Sequence, residues 1–132
     1  MKKIIIIIVA ALVVAGGVVY FLFLAPPPEP ETVFYVPGDY FVTNIKDSGR
    51  LLKTTIVIEI STTDPSGVTE YLTEHNHILR DHIVFALRSK TEDELRSDSV
   101  DKVLRTEIVQ MLKTNMSLDY IETIYFNDYV IQ

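Results

Sequence analysis

The run Ile4–Ala25, IIIIIVAALVVAGGVVYFLFLA, carries no charge over 22 residues and constrains this chain more than any other feature. As an α-helix it extends roughly 33 Å, about the hydrocarbon thickness of a bilayer. Lys2 and Lys3 stand just before it. The positive-inside rule therefore predicts a cytoplasmic N-terminus over 1–3, a transmembrane helix over 4–25, and everything beyond Ala25 outside the cytoplasm. Tyr20, Phe21 and Phe23 lie towards the outer end, where aromatic rings suit an interface. The competing reading is a cleaved signal peptide with Val13 and Ala15 before the cut. The apolar run continues for ten residues past Ala15, too long for the apolar region of such a segment. Ala11 and Ala15, with Gly16 and Gly17 behind them, form a small-residue face that permits close helix approach in a membrane.

Pro26-Pro27-Pro28-Glu29-Pro30-Glu31 follows at once. Proline fixes φ and favours an extended helix, so six residues make a stiff spacer of about 19 Å. The expected organisation is a linker over 26–32 and one domain over 33–132. The 107 residues after Ala25 suffice for one small domain and not two. There is no cysteine, which excludes disulfides, thiol nucleophiles and thiolate metal sites. All 18 acidic residues but only ten of the 12 basic ones lie beyond Ala25, leaving that part at net −8. Such a surface repels phosphate backbones, so a nucleic-acid partner is excluded.

Strand patterns come first in the domain. Val33–Val36, closed by Pro37-Gly38, reads as a short edge piece, and Tyr40–Ile45 as a strand. A glycine-bearing turn, Lys46–Arg50, leads into LLKTTIVIEI. There Leu52, Thr54, Ile56, Ile58 and Ile60 share one face, while Lys53, Thr55, Val57 and Glu59 share the other. That alternation predicts an antiparallel hairpin with one wet face. Helical spacing then takes over. Asp64-Pro65 supplies an N-cap and a proline at the first helical position, and Val68, Tyr71, Leu72, Leu79, His82, Ile83 and Ala86 form one stripe. One long helix is predicted over Pro65–Ser89.

Thr91-Glu92-Asp93-Glu94 fits a capping box, so a sharp corner separates this helix from another over Asp98–Thr114. Asp98 with Lys102 and Asp101 with Arg105 are acid-first i,i+4 pairs on its exposed face. The closing segment, IETIYFNDYVIQ, is strand-like with apolar residues on both faces. It is either a central strand or one shifted in register by a bulge at Asn127-Asp128. The order β-β-α-α-β predicts an α+β domain, a small antiparallel sheet with helices packed on one face, behind a single N-terminal transmembrane helix.

Catalytic and metal chemistry find no support in the residues. His75 and His77 are two apart on a helix and diverge, and His75 with His82 needs a further ligand from elsewhere. Asp81 and His82 are adjacent and diverge by about 100°, so they cannot form a triad pair. No nucleophile elbow, glycine-rich phosphate loop or calcium loop is present. The expectation is a non-enzymatic protein without cofactor, metal or small-molecule substrate. Arg80, Asp81 and Arg88 make a polar strip near the corner, which either solvates the helix or meets a neighbouring subunit.

The run LRDHIVFALRSKTEDELRS, the later LRTEI at Leu104–Ile108 and the ending IYFNDYVIQ resemble the FliL family of flagellar basal-body-associated proteins. Ile124, Phe126, Tyr129, Val130, Ile131 and Gln132 match the family's terminal strand, and the order of lysines, span, linker and acidic domain agrees over the whole chain. The resemblance implies a bacterial inner-membrane protein with a periplasmic stomatin-like (SPFH) domain at the flagellar basal body. It implies association with stator proteins in a homo-oligomeric ring, in support of torque, swimming, swarming and chemotaxis. Arg80, Asp81, Arg88 and Glu94 are then the expected subunit or stator contacts. The alternative is an anchored periplasmic scaffold or sensor domain with no motor role.

Overall fold

The computed structural model describes residues 1–132. Helix α1 spans Lys2–Val19, and a π-helical turn over Tyr20–Leu24 ends it. Together they form one helix long and apolar enough to cross a membrane, with mean hydropathy 3.0 and no buried residue. Ala25 is extended at φ −64° and ψ 133° because the ring of Pro26 disfavours a helical residue before it.

Four strands build one antiparallel sheet: β1 (Glu31–Tyr35), β2 (Phe41–Asn44), β3 (Leu51–Thr62) and β4 (Ile121–Ile131). The 12-residue β3 is the central strand. β4 runs along one side of it, while β1 and β2 share the other side end to end, β1 opposite Ile58–Thr62 and β2 opposite Leu51–Thr54. The expected edge piece and hairpin are therefore both present, and β1 begins two residues before Val33. Inward alternation on β3 holds as read: Leu52, Thr54, Ile56, Ile58 and Ile60 are all fully buried.

Of the two readings of the closing strand, the bulge holds, and it recurs. The register against β3 shifts at Asn127, as expected, and again at Glu122. Each extra residue resets the alternation. Ile121, Ile124, Phe126, Tyr129 and Ile131 consequently all lie opposite inward residues of β3. The bulge at Asn127 also satisfies Thr54, a hydroxyl buried among isoleucines, which donates to the Asp128 carbonyl at 2.6 Å. No buried side-chain polar atom in the protein lacks a partner.

The helices cover one face of this sheet, as the α+β reading requires, but the single long helix is corrected to two. α2 (Pro65–Glu74) and α3 (Asn76–Arg88) meet at His75, whose backbone leaves helical geometry at φ −99° and ψ 15°. The cause lies on β1. The Tyr35 hydroxyl donates towards the Leu72 carbonyl at 3.0 Å and lies 3.2 Å from Asn76 Oδ1, so a side chain enters the helical hydrogen-bond ladder. Of the expected stripe, Leu72, Leu79, Ile83 and Ala86 are buried, whereas Tyr71 stays exposed. After the single turn α4 (Glu92–Leu95), α5 runs over Val100–Met116, starting two residues later than expected. Asp98 thus precedes α5 and its pair with Lys102 is absent, while Asp101 and Arg105 sit 3.9 Å apart. Val109 and Met116 join the core from α5, and Val103 is left exposed.

Candidate functional site: the helical corner

The corner between α3 and α5 begins with the chemistry of Thr91. This residue is extended ahead of α4, and its hydroxyl oxygen accepts from the Glu94 N–H at 3.4 Å. The Glu94 carboxylate accepts in return from the Thr91 N–H at 2.8 Å. The capping box read from the sequence is formed. One turn of helix is marginal by itself. It holds because Leu95 is buried and its carbonyl accepts from the Tyr129 hydroxyl of β4 at 2.9 Å. Burial pushes the Tyr129 phenol up to about 12, so it remains a donor throughout the neutral range.

Glu92 ties the same turn to the β2–β3 loop. Its carboxylate accepts from Arg96 Nε at 2.9 Å and from Ser48 Oγ at 3.1 Å, with Arg50 3.7 Å away. Below it the Lys46 N–H donates to the Lys90 carbonyl at 2.9 Å, and Lys46 forms an isolated parallel bridge with Thr91. The Lys90 ammonium reaches across to Glu107 on α5. Four elements thus converge on one surface turn. Beside it opens a cavity of about 400 Å³, where Leu95, Val100, Val103 and Leu104 meet Lys90 and Asp93.

No hydrogen bond or ion pair links the four contact residues predicted from sequence, Arg80, Asp81, Arg88 and Glu94. Arg80 is held within its own chain. Its guanidinium donates to the Pro37 carbonyl at 2.9 Å and the Tyr40 carbonyl at 3.1 Å, and lies 4.3 Å from the centre of the Phe41 ring. It straps the loop where β1 gives way to β2. Glu94 is engaged in the capping box, while Asp81 and Arg88 are exposed. Glu92, Lys46 and Ser48 carry the corner's tie to the sheet and were missed, because that contact joins segments more than 40 residues apart. The histidines stay apart from one another as well. His75 stacks on Tyr71 at 4.2 Å and its Nδ1 lies 2.9 Å from the Tyr71 carbonyl, beyond the helix break from His82.

The corner has a pH signature. The hydrogen bond from Arg96 holds the Glu92 carboxyl below its usual 4.5, and bonds from the Thr91 backbone and side chain do the same for Glu94. A depressed folded pKa gives stability that is present above the unfolded value and lost as pH falls through the folded one. Urea midpoints are therefore expected to hold steady above the ordinary carboxylate value and to drop below it. Glu92→Gln and Glu94→Gln should each flatten part of that acid limb. An acid limb parallel to wild type in both variants would contradict the assignment.

Fold and site together define a small α+β domain with a tied polar corner, carried behind one helix long and apolar enough to cross a membrane. The chain belongs to the FliL family, since the family model for the flagellar basal body-associated protein FliL matches residues 34–132. It is also 26% identical over 92 residues to the flagellar protein FliL of Aquifex aeolicus (strain VF5), which covers 70% of this chain and 56% of that protein. The chain thus matches about half the length of this curated relative.

Proposed function

We propose that this protein is a non-enzymatic accessory of the flagellar motor, anchored in the bacterial inner membrane by α1 with its domain in the periplasm. It associates there with stator units and other copies of itself, and supports torque, swimming, swarming and chemotaxis. Membership of a basal-body-associated family over residues 34–132 carries this reading. Lys2 and Lys3 ahead of the apolar helix favour the orientation, and the proline-rich spacer favours a domain held close above the bilayer. The helical corner is the contact surface. Its ties to the β2–β3 loop, to β4 and to α5 make it rigid, so a partner meets it without an ordering cost. Asp81 and Arg88, exposed and unpaired in the chain, are the outward charges of the helix leading into it, while Glu94 keeps the corner in shape.

Swimming speed of a strain lacking the protein, measured at rising viscous load, tests the reading. Speed should fall behind wild type increasingly as load rises, and wild-type protein should restore it. Restoration should be weaker with the Asp81→Ala/Arg88→Ala double variant. Unchanged speed at every load would leave an anchored scaffold or sensor with no motor role.

A further inference from the structure

The sheet face turned away from the helices is open, and it concentrates the exposed apolar surface of the domain. Ten large apolar side chains are exposed outside the N-terminal helix. Six of them stand on this face, Phe34, Val36, Tyr40, Val42, Tyr125 and Val130, while the other four are spread over α2, α3 and α5. Three strands by ten residues at ordinary spacings make a platform of about 500 Å². Between the strands its backbone is hydrogen-bonded, and the Thr55 hydroxyl at its middle donates to the Asp39 carbonyl at 3.1 Å. The two charges of β3 on this face lie against rings. Lys53 covers the Tyr40 ring at 4.6 Å, and the Glu59 carboxylate accepts from the Tyr125 hydroxyl. Tyrosines with an apolar body and a polar tip, aliphatic residues between them and a lysine laid along a ring suit a lipid–water boundary.

The chain carries such a boundary within reach. Only Pro26–Pro30 separate Ala25, where the membrane-length helix ends, from Glu31, the first residue of β1. Fully extended, that spacer holds the start of β1 no more than about 19 Å from the helix end. Phe34 stands on the same strand, and Val36 just after it.

We infer that this face rests on the phospholipid headgroups of the leaflet from which the chain's own linker emerges. A patch too small to bind lipid from solution docks when a short tether keeps it at high effective concentration above the bilayer. The paired backbone lets the strands approach lipid without orphaned polar groups. Thr32, Thr55 and Thr123 share the face with the apolar residues, so it lies at headgroup level and does not sink into the hydrocarbon. Docked in this way, the domain turns α2, α3 and α5, and the corner between them, away from the bilayer. The inference rests on α1 crossing the membrane and is independent of the motor reading.

The absence of cysteine makes the test clean, because one introduced thiol takes one environment-sensitive fluorophore. The full-length chain is reconstituted at one copy per phosphatidylcholine nanodisc whose lipids carry a headgroup nitroxide. Labels at Val42→Cys on the open face, Val14→Cys in α1 and Lys102→Cys on α5 are compared. The Val42 label should emit to the blue, be quenched by the nitroxide lipid and resist iodide in the water, while the Lys102 label does the reverse. Adding Phe34→Ser and Val130→Ser should lower the docking equilibrium of the Val42 label at least about tenfold, the effect of withdrawing one well-buried apolar side chain from lipid. Circular dichroism should show the domain still folded, since both positions are exposed. A shielded Val14 label with a Val42 label as open to iodide as Lys102 would overturn the docking and leave the anchor standing. A Val14 label open to iodide would overturn the anchor and the docking together. Iodide protection at Val42 without nitroxide quenching would mean that protein covers the face, and would equally overturn the proposal.

Discussion

Ile58→Ala is expected to lower the unfolding free energy by about 2–5 kcal/mol, the range for emptying a buried aliphatic site. Ile58 has no exposed surface and sits midway along the only strand that pairs on both sides, opposite Tyr35 of β1 and Ile124 of β4. Neighbours on three strands are fixed by backbone hydrogen bonds and cannot collapse into the space, so the cost belongs in the upper half of that range. Against a total of about 5–15 kcal/mol for a domain, this is a large fraction. Urea unfolding followed by circular dichroism measures it. Ile58→Val, which removes one methylene, should cost about 0.5–1.5 kcal/mol on the same scale. A cost below about 1 kcal/mol for Ile58→Ala would contradict the placement of β3 at the centre of the core.

Gly38→Ala should have the second large effect, roughly 2–4 kcal/mol, from two causes that can be separated. Gly38 has φ 141°, a conformation that costs a side-chain-bearing residue about 1–3 kcal/mol. A Cβ there would also lie 2.3 Å from Arg80 Nη1. The guanidinium would have to leave the Pro37 and Tyr40 carbonyls, at about 1 kcal/mol per hydrogen bond lost, and give up the Phe41 ring. Arg80→Ala removes the second cause alone. The double variant should therefore be less destabilised than the two single effects added together. Strict additivity would show that Arg80 does not clamp this loop.

These two sites differ in how far the sequence announces them. Ile58 is legible because alternation is a local property: Leu52, Thr54, Ile56, Ile58 and Ile60 declare one face within ten residues. The capping box at Thr91–Glu94 is legible for the same reason. Arg80 is not, since its partners stand about 40 residues earlier and nothing near it marks a clamp rather than a solvated charge. The break at His75 is hidden likewise. Val68, Leu72, Leu79 and Ile83 keep helical spacing across it, and only the distant Tyr35 hydroxyl interrupts the ladder. On β4 the bulge at Asn127 shows as a clash of faces, whereas the one at Glu122 lies too near the strand's start for a pattern to break. The corner read as a helix end and a new cap, but its bond to the β2–β3 loop through Glu92 and Ser48 depends on the folded sheet.

Membership of the chain in a basal-body-associated family and its single membrane-length helix support the proposal that the protein works at the motor. The most direct measurement is the cellular position of a functional fluorescent fusion, imaged with a basal-body marker in cells with and without stator subunits. Membrane foci coincident with basal bodies are expected, and they should disperse when the stator subunits are removed. Uniform membrane fluorescence in both strains would contradict the proposal.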